Sequence, residues 1–241
     1  MKRILVPLLG SLALLAASCG GSSDALANRT PKQVLASALA AAKTAGSFHF
    51  ALTGKTTSGT ESVIGDTSAT ASRESITIGS STFQLEVIGS KAFVEGNAGG
   101  LQNEMGLPAA AAATYGGKWI SVAATDAPYS SITKATTLAT TMTDISPSGH
   151  LTLTATATRS GQTVVGVRGS VPGGAQSGVT GSAVIYVATA HPTLPIVYSS
   201  EATSKGEKET DLGTFSRWGE PVHIAVPTAS VPLSSVSAAA G

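Results

Sequence analysis

The 241-residue sequence predicts an α+β fold, in which a large curved antiparallel sheet forms a half-open barrel with two main helices packed on its concave face. Apolar and polar residues alternate along most of the chain after Gly46, which is typical of strands with one buried face. The links between these strands are short, whereas parallel strands need crossover connections of roughly a dozen residues or more. Only two stretches have helical spacing, and a sheet must curl if two helices are to cover it.

The chain begins with the features of an export signal. Lys2 and Arg3 precede an uncharged run from Ile4 to Ala17, which is shorter than the roughly 20 residues that a membrane-spanning helix needs. Small residues lead up to Cys19, the only cysteine in the sequence. This pattern resembles the processing site of bacterial lipoproteins. It predicts a signal peptide over residues 1–18 and attachment of lipid, with acyl groups such as palmitate, to Cys19. An ordinary secretory signal with an incidental cysteine is the alternative.

The segments that flank the predicted domain have little periodicity. Residues 19–29 are rich in Gly, Ser and Ala, and we expect a flexible tether there. Residues 228–241 are predicted to be a disordered tail, which leaves one domain over residues 30–227. A diacylated Cys19 would anchor that domain by membrane lipid on the outer face of the cytoplasmic membrane, because two acyl chains give stable attachment where one does not.

Local signals predict the first helix over Lys32–Ala45. A Thr-x-x-Gln capping box begins at Thr30, Pro31 suits the first helical position, and Gly46 suits the end. A second helix is expected within residues 128–142, where apolar residues recur at helical spacing.

Alternation predicts the strands. Phe48, Phe50 and Leu52 point one way while their polar neighbours point the other, and Gly89-Ser90 is a typical two-residue turn. The predicted strands are Ser47–Thr53, Arg73–Ile78, Phe83–Val87, Lys91–Glu95, Lys118–Val122, His150–Thr158, Thr163–Val171, Ala183–Thr189, Ile196–Thr203, Thr210–Trp218 and Val222–Val226.

The composition argues against several classes of function. Lys and Arg number 15 against 14 Asp and Glu, so the formal charge of +1 gives no field to hold nucleic acid. One cysteine cannot form an internal disulfide or a cysteine-rich zinc cluster. The sequence has no nucleotide-binding glycine motif and no G-x-S-x-G elbow, and its four histidines are far apart. We therefore expect no enzyme, no catalytic residues, no metal site and no cofactor.

Several segments occur in an order that resembles the actinobacterial LppX/LprG lipoproteins. They are Cys19, Ser47–Phe50 after the first helix, Gly117–Trp119, Ser160–Thr163 and the corner Phe215–Val222. The resemblance covers most of Thr30 to Pro227. It implies a half-open, LolA-like sheet whose hollow holds acyl chains of lipids or glycolipids and helps to move them across the cell envelope. Residues 97–114 depart from the pattern and are expected to be an insertion.

Two functions remain open at this point. The first is a lipid carrier, whose hollow lies between the Ala-rich helix and the sheet. The second is a non-transporting interaction or sensor lipoprotein that meets another envelope protein, with Trp119 or Trp218 as an aromatic anchor. The candidate ligand-lining residues are equally compatible with an ordinary packed core. They are Val34, Leu35, Ala38, Phe48, Phe50, Leu52, Phe83, Leu85 and Val87.

Overall fold

The computed structural model describes residues 25–56, 59–173 and 178–238. Cys19, the predicted signal peptide and the first part of the predicted tether lie outside the described residues. The helices of the described part are α1 Pro31–Ala45, α2 Ala98–Met105, α3 Ala109–Tyr115, α4 Tyr129–Ala135, α5 Leu138–Asp144 and α6 Leu233–Ala238.

The strands belong to one 13-stranded sheet in the described part of the chain. They are β1 Ser47–Thr56, β2 Gly59–Ser68, β3 Ala71–Ile78, β4 Ser81–Ile88, β5 Lys91–Gly96, β6 Trp119–Val122, β7 Ser148–Leu153, β8 Ala157–Arg159, β9 Gln162–Ser170, β10 Thr180–Ala188, β11 Pro195–Ser204, β12 Glu207–Ser216 and β13 Ser230–Pro232.

The sheet is almost entirely antiparallel and does not close on itself. Its order is β13-β6-β5-β4-β3-β2-β1-β12-β11-β10-β9-β7, with β8 also paired to β9. Only β13, which runs parallel to β6, departs from the antiparallel arrangement. The open antiparallel sheet and its accompanying helices confirm the predicted α+β fold class.

The first helix begins and ends where the local signals predict. The backbone N–H of Thr30 donates to Gln33 Oε1 at 2.9 Å, and the backbone N–H of Gln33 donates to Thr30 Oγ1 at 3.3 Å. Gly46 ends the helix in the left-handed region with φ of 75°, where a residue with a side chain would be strained.

The other helices differ from the prediction. The single helix expected within residues 128–142 is two short helices, because Thr137 caps α5 by accepting a hydrogen bond from the backbone N–H of Thr140 at 3.1 Å. The expected insertion at residues 97–114 forms α2 and most of α3. Gly100 lies in α2 where a Cβ would come within 2.0 Å of the Thr82 carbonyl oxygen, so α2 packs directly on the end of β4.

The structure also differs from the prediction at two strands and at both ends of the domain. β2 was not predicted, whereas residues 222–226 were predicted as a strand and form none. The predicted disordered tail contains β13 and α6, because Val236 packs fully buried among apolar side chains. The end of the predicted tether is fixed as well, since Leu26 is 5% exposed and belongs to the core.

The helices pack on one face of the sheet, which we call the inner face. Strand register places Phe50 opposite Gly65, Gly65 opposite Glu74, and Glu74 opposite Leu85, so these four residues share that face. Two apolar cores form there. The first core contains Val34, Ala38, Ala42, Phe48, Phe50, Met142, Ile145, Val167, Ile185 and Phe215. The second core contains Phe83, Leu85, Val87, Val94, Leu101, Ala112, Ile120 and Val236.

Candidate functional site: an apolar strip between two helical groups

The helices divide into two groups that cover the two flanks of the inner face. α1 packs against β1, β9, β10 and β11, and α5 contributes Met142 to the same first core. α2 and α4 pack against β4 and β5 at the second core. β2 and β3 lie between these two groups, at the centre of the sheet.

Over the centre, the inner face carries apolar side chains that are only partly buried. Leu52, Val63 and Ile76 are directly opposite one another on β1, β2 and β3, and all three are partly exposed. Leu52 and Val63 pack against the first core, while Ile76 packs against the second. We call these three residues the inner strip; it joins the two cores across the middle of the sheet.

Glu74 lies beside the inner strip, one row further along the inner face. It occupies the register position between Gly65 and Leu85, and the described residues offer it no hydrogen bond or ion pair. A Cβ on Gly65 would come within 2.5 Å of the Phe50 ring, so that ring lies over the glycine next to Glu74. Burial in these surroundings raises the pKa of Glu74 from 4.5 to about 7, because desolvation disfavours the charged carboxylate.

The sheet differs in chemistry on the two sides of the inner strip, towards the two ends of strands β2 and β3. At the end nearest α4 and α5, the buried Thr67 hydroxyl donates to the Thr136 carbonyl oxygen at 2.8 Å, so the segment between these helices covers the sheet. At the opposite end, Ile78 is 39% exposed and pairs with Glu61. Burial raises the pKa of Glu61, and the nearby carboxylates of Glu104, Asp211 and Glu209 raise it further. This open end is therefore acidic.

The predicted ligand-lining residues share the inner face but divide between the two cores. Val34, Ala38, Phe48 and Phe50 belong to the first core, and Leu35 and Leu52 pack against its edge. Phe83, Leu85 and Val87 belong to the second core. Seven of these nine residues, all but Leu35 and Leu52, are at most 9% exposed. The structure thus brings them onto one face without joining them in one hollow.

Sequence reasoning missed Val63, Ile76 and Glu74 as candidates. Ile76 and Glu74 lay in a predicted strand, but they were not among the large apolar residues of the longest alternating runs. Val63 belongs to β2, whose sequence is mostly polar and glycine-rich. The signal that could have found them is the position of β2 and β3 between two strands rich in Phe and Leu.

The opposite, outer face of the sheet carries a row of charged side chains under the segment that follows β12. Asp66 Oδ1 accepts from Arg217 Nη2 at 2.9 Å and lies 3.0 Å from His49 Nδ1. Arg73 Nε donates to Glu86 Oε1 at 2.6 Å, and Glu86 is buried, with its Oε2 lacking a partner among the described residues. These charges fix the segment from residue 217 onward, which crosses to β13 at the far edge.

Among the clefts on the described surface, three have volumes of about 220, 480 and 530 Å³. The first lies over the charged row of the outer face, the second beside α1, and the third at the edge near β5 and β6. None of these three is lined by Leu52, Val63 or Ile76.

Trp218, one of the two possible aromatic anchors, is used within the fold. Its ring stacks on Phe48 with a centroid distance of 4.8 Å, and its Nε1 donates to the Pro195 carbonyl oxygen at 3.1 Å. Among the described residues, no three His, Cys, Asp or Glu side chains are grouped so that they could hold a metal ion. The helices of this part of the chain are also too short or too polar for any to cross a membrane.

Comparison with known proteins places this architecture among solved structures. No protein-family model and no curated protein sequence matches the chain. Lipoprotein LppX from Mycobacterium tuberculosis is similar in structure, with a TM-score of 0.50 and 18% identity over 80% of this chain and 99% of that protein. LprF from Mycobacterium bovis gives a TM-score of 0.51 and 16% identity over 82% of this chain and 96% of that protein. The chain has the fold that these two proteins share, which confirms the LppX/LprG-like fold indicated by the sequence.

Proposed function

We propose that this chain, which has the fold of LppX and LprF, is an envelope lipoprotein that binds an acyl chain of a lipid or glycolipid between its two helical groups and carries it across the cell envelope. The proposal is for a carrier and not an enzyme. The single observation that supports it best is the inner strip, where apolar side chains at the centre of the sheet remain partly exposed while both flanks are packed.

Apolar burial would provide the binding free energy. Covering the exposed parts of Leu52, Val63 and Ile76 with hydrocarbon gains about 25 cal/mol per Å² of apolar surface removed from water. Such a site needs few polar contacts. The acidic open end beside Glu61 would repel a negatively charged headgroup, so an acyl chain on an uncharged lipid is the ligand that fits best.

The inner strip is accessible without a change in the fold, because Leu52, Val63 and Ile76 are already partly exposed in this structure. The strands beneath it are continuous from β1 to β4, and they hold the three side chains on one face. An acyl chain would therefore lie on the strip between the two helical groups.

The same proposal includes a lipid anchor at Cys19. The residue lies outside the described residues, so the support comes from the sequence around it. An anchor there would keep the carrier beside the bilayer that supplies its ligand.

The carrier is tested with a chain that begins at Gly20 and retains every described residue. Native mass spectrometry with lipid extraction, and titration with a fluorescent fatty acid ester, are expected to show one bound acyl lipid. Val63→Ser should weaken probe binding, whereas Ile64→Ser serves as the matched control because Ile64 is the next residue on β2, is 49% exposed and faces outward. A protein that contains no lipid and takes up no probe, or equal losses in both variants, would contradict the proposal.

A further inference from the structure

Glu74 is a titratable side chain on the apolar inner face, and the proposed function does not yet use it. Its register partners are Gly65 on β2 and Leu85 on β4. The next residue of β3 on the same face is Ile76, two positions further along the strand, which belongs to the inner strip. The carboxyl group therefore adjoins the surface on which an acyl chain would lie.

The neighbours of this carboxyl group on the inner face are apolar. The Phe50 ring lies over Gly65, within 2.5 Å of the place that a Cβ would take, and Leu85 is buried in the second core. No described residue donates a hydrogen bond to Glu74 or forms an ion pair with it, although the side chain is only partly exposed. A ligand that covers the inner strip would also exclude water from this carboxyl group, so the ligand itself has to supply the missing partner.

The carboxyl group can donate a hydrogen bond at mildly acidic pH. Burial raises the pKa of Glu74 to about 7, so the group carries its proton below that pH. On the inner face of β1 to β5, the other charged side chain is Glu61, which pairs with Ile78, four residues further along β3 than Glu74.

The helices that cover the inner face carry further titratable groups. They are Lys32, Lys43, Glu104, Tyr115, Tyr129, Lys134 and Asp144. Desolvation is the cause of the raised pKa of Glu74, and none of these groups contributes to it. The proton of Glu74 is therefore available to a ligand and is not engaged by a neighbouring charge.

We propose that Glu74 is a specificity-determining residue of the lipid site, whose carboxyl O–H donates a hydrogen bond to the ester carbonyl oxygen of the bound acyl chain. The inference rests on the proposed carrier function, and it adds a polar contact beside the apolar strip. A bound ester gives the carboxyl group a partner, whereas a plain hydrocarbon of the same length covers it and leaves it without one. Because a buried polar group without a partner is costly, the site discriminates between the two.

The test compares two pyrene-labelled probes of equal length, a fatty acid methyl ester and an alkane, by fluorescence titration of the chain that begins at Gly20. At pH 5.5 the unmodified chain should bind the ester about tenfold more tightly than the alkane, which corresponds to about 1.4 kcal/mol. At pH 8 the ionised carboxylate has no O–H to donate, so this preference should disappear.

Two substitutions separate the hydrogen bond from the charge. Glu74→Gln retains a donor in its amide N–H group, so it should prefer the ester at both pH values. Glu74→Met has an apolar side chain of similar length and should bind both probes equally at both pH values. A purely structural effect of either substitution would change the affinity for both probes together and leave their ratio unchanged.

The matched control is Glu95→Gln, because Glu95 lies on the outer face of β5, and it should show the same preference and pH dependence as the unmodified chain. Circular dichroism establishes that all variants are folded. Equal binding of both probes by the unmodified chain at pH 5.5, or an unchanged preference in Glu74→Met, overturns the inference and leaves the carrier proposal standing. If the unmodified chain binds neither probe, the carrier proposal and the inference that rests on it are both contradicted.

Discussion

The most informative single substitution is Glu74→Gln, because it removes one charge from the centre of the inner face and preserves the size of the side chain. Burial raises the pKa of Glu74 from 4.5 to about 7. Each pKa unit corresponds to about 1.4 kcal/mol, so ionised Glu74 lowers the free energy of unfolding by at most about 3 kcal/mol.

The effect has a defined direction with pH. Below about pH 4.5 the carboxyl is protonated in both the folded and the unfolded chain, so the substitution changes little. Between that pH and about 7, the folded chain retains a proton that the unfolded chain releases. Stability of the unmodified protein therefore falls relative to Glu74→Gln as the pH rises, and the full difference is present above pH 7.

Thermal unfolding followed by circular dichroism provides the assay. For a domain of this size, 1 kcal/mol shifts the midpoint by about 2–4 °C, so the midpoint of Glu74→Gln should be higher by up to about 6–12 °C in mildly alkaline buffer and the same in acid. Glu95→Gln, on the outer face of β5, controls for removal of a carboxylate from the sheet. A midpoint difference that is absent, or that is equal in acid and alkali, would show that Glu74 is not desolvated on the inner face.

Four further outcomes follow from the contacts described above. Binding of a fluorescent acyl probe should be stronger at about pH 5.5 than at about pH 8, because Glu74 is neutral at the lower pH, and Glu74→Gln should remove most of this difference. Val236→Ala should lower the free energy of unfolding by about 2 kcal/mol in urea denaturation, through loss of about two buried carbon groups, and no change would show that α6 is not packed. Gly65→Ala should cost about 1–3 kcal/mol in the same assay, because its Cβ would lie within 2.5 Å of the Phe50 ring; a neutral result would mean that the ring can move aside. Trp218→Phe keeps most of the aromatic surface but loses the hydrogen bond to a backbone carbonyl, and should cost about 1 kcal/mol; a much larger loss would show that packing dominates.

The sequence predicts α1 well because its signals are local. Thr30, Gln33 and Gly46 act within a few residues of the helix ends, and their geometry does not depend on the rest of the fold. β2 was missed for the opposite reason. Its sequence contains only Val63 and Ile64 as large apolar residues, and it is a strand because β1 and β3 pair with it on both sides.

The candidate site was predicted only in part. Alternation correctly places Phe50 and Leu85 on strands whose apolar residues point inward, but it does not indicate which of these residues the helices cover. Coverage depends on where α2 and α4 lie, and these helices were predicted as an insertion or as part of one longer helix. Glu74 was missed because a charged residue interrupts the alternation of apolar and polar residues, so the sequence does not indicate that it faces inward.

The course of the last described residues has a consequence for self-association. β13 follows a segment that crosses from β12, and it forms one edge of the sheet with three residues that end in Pro232. An exposed edge strand is a template on which another copy of a chain can add its own strand, and shortness and proline both oppose such addition. β13 therefore shields the longer hydrogen-bonding edge of β6 and opposes the addition of a strand from a second copy at this edge of the sheet.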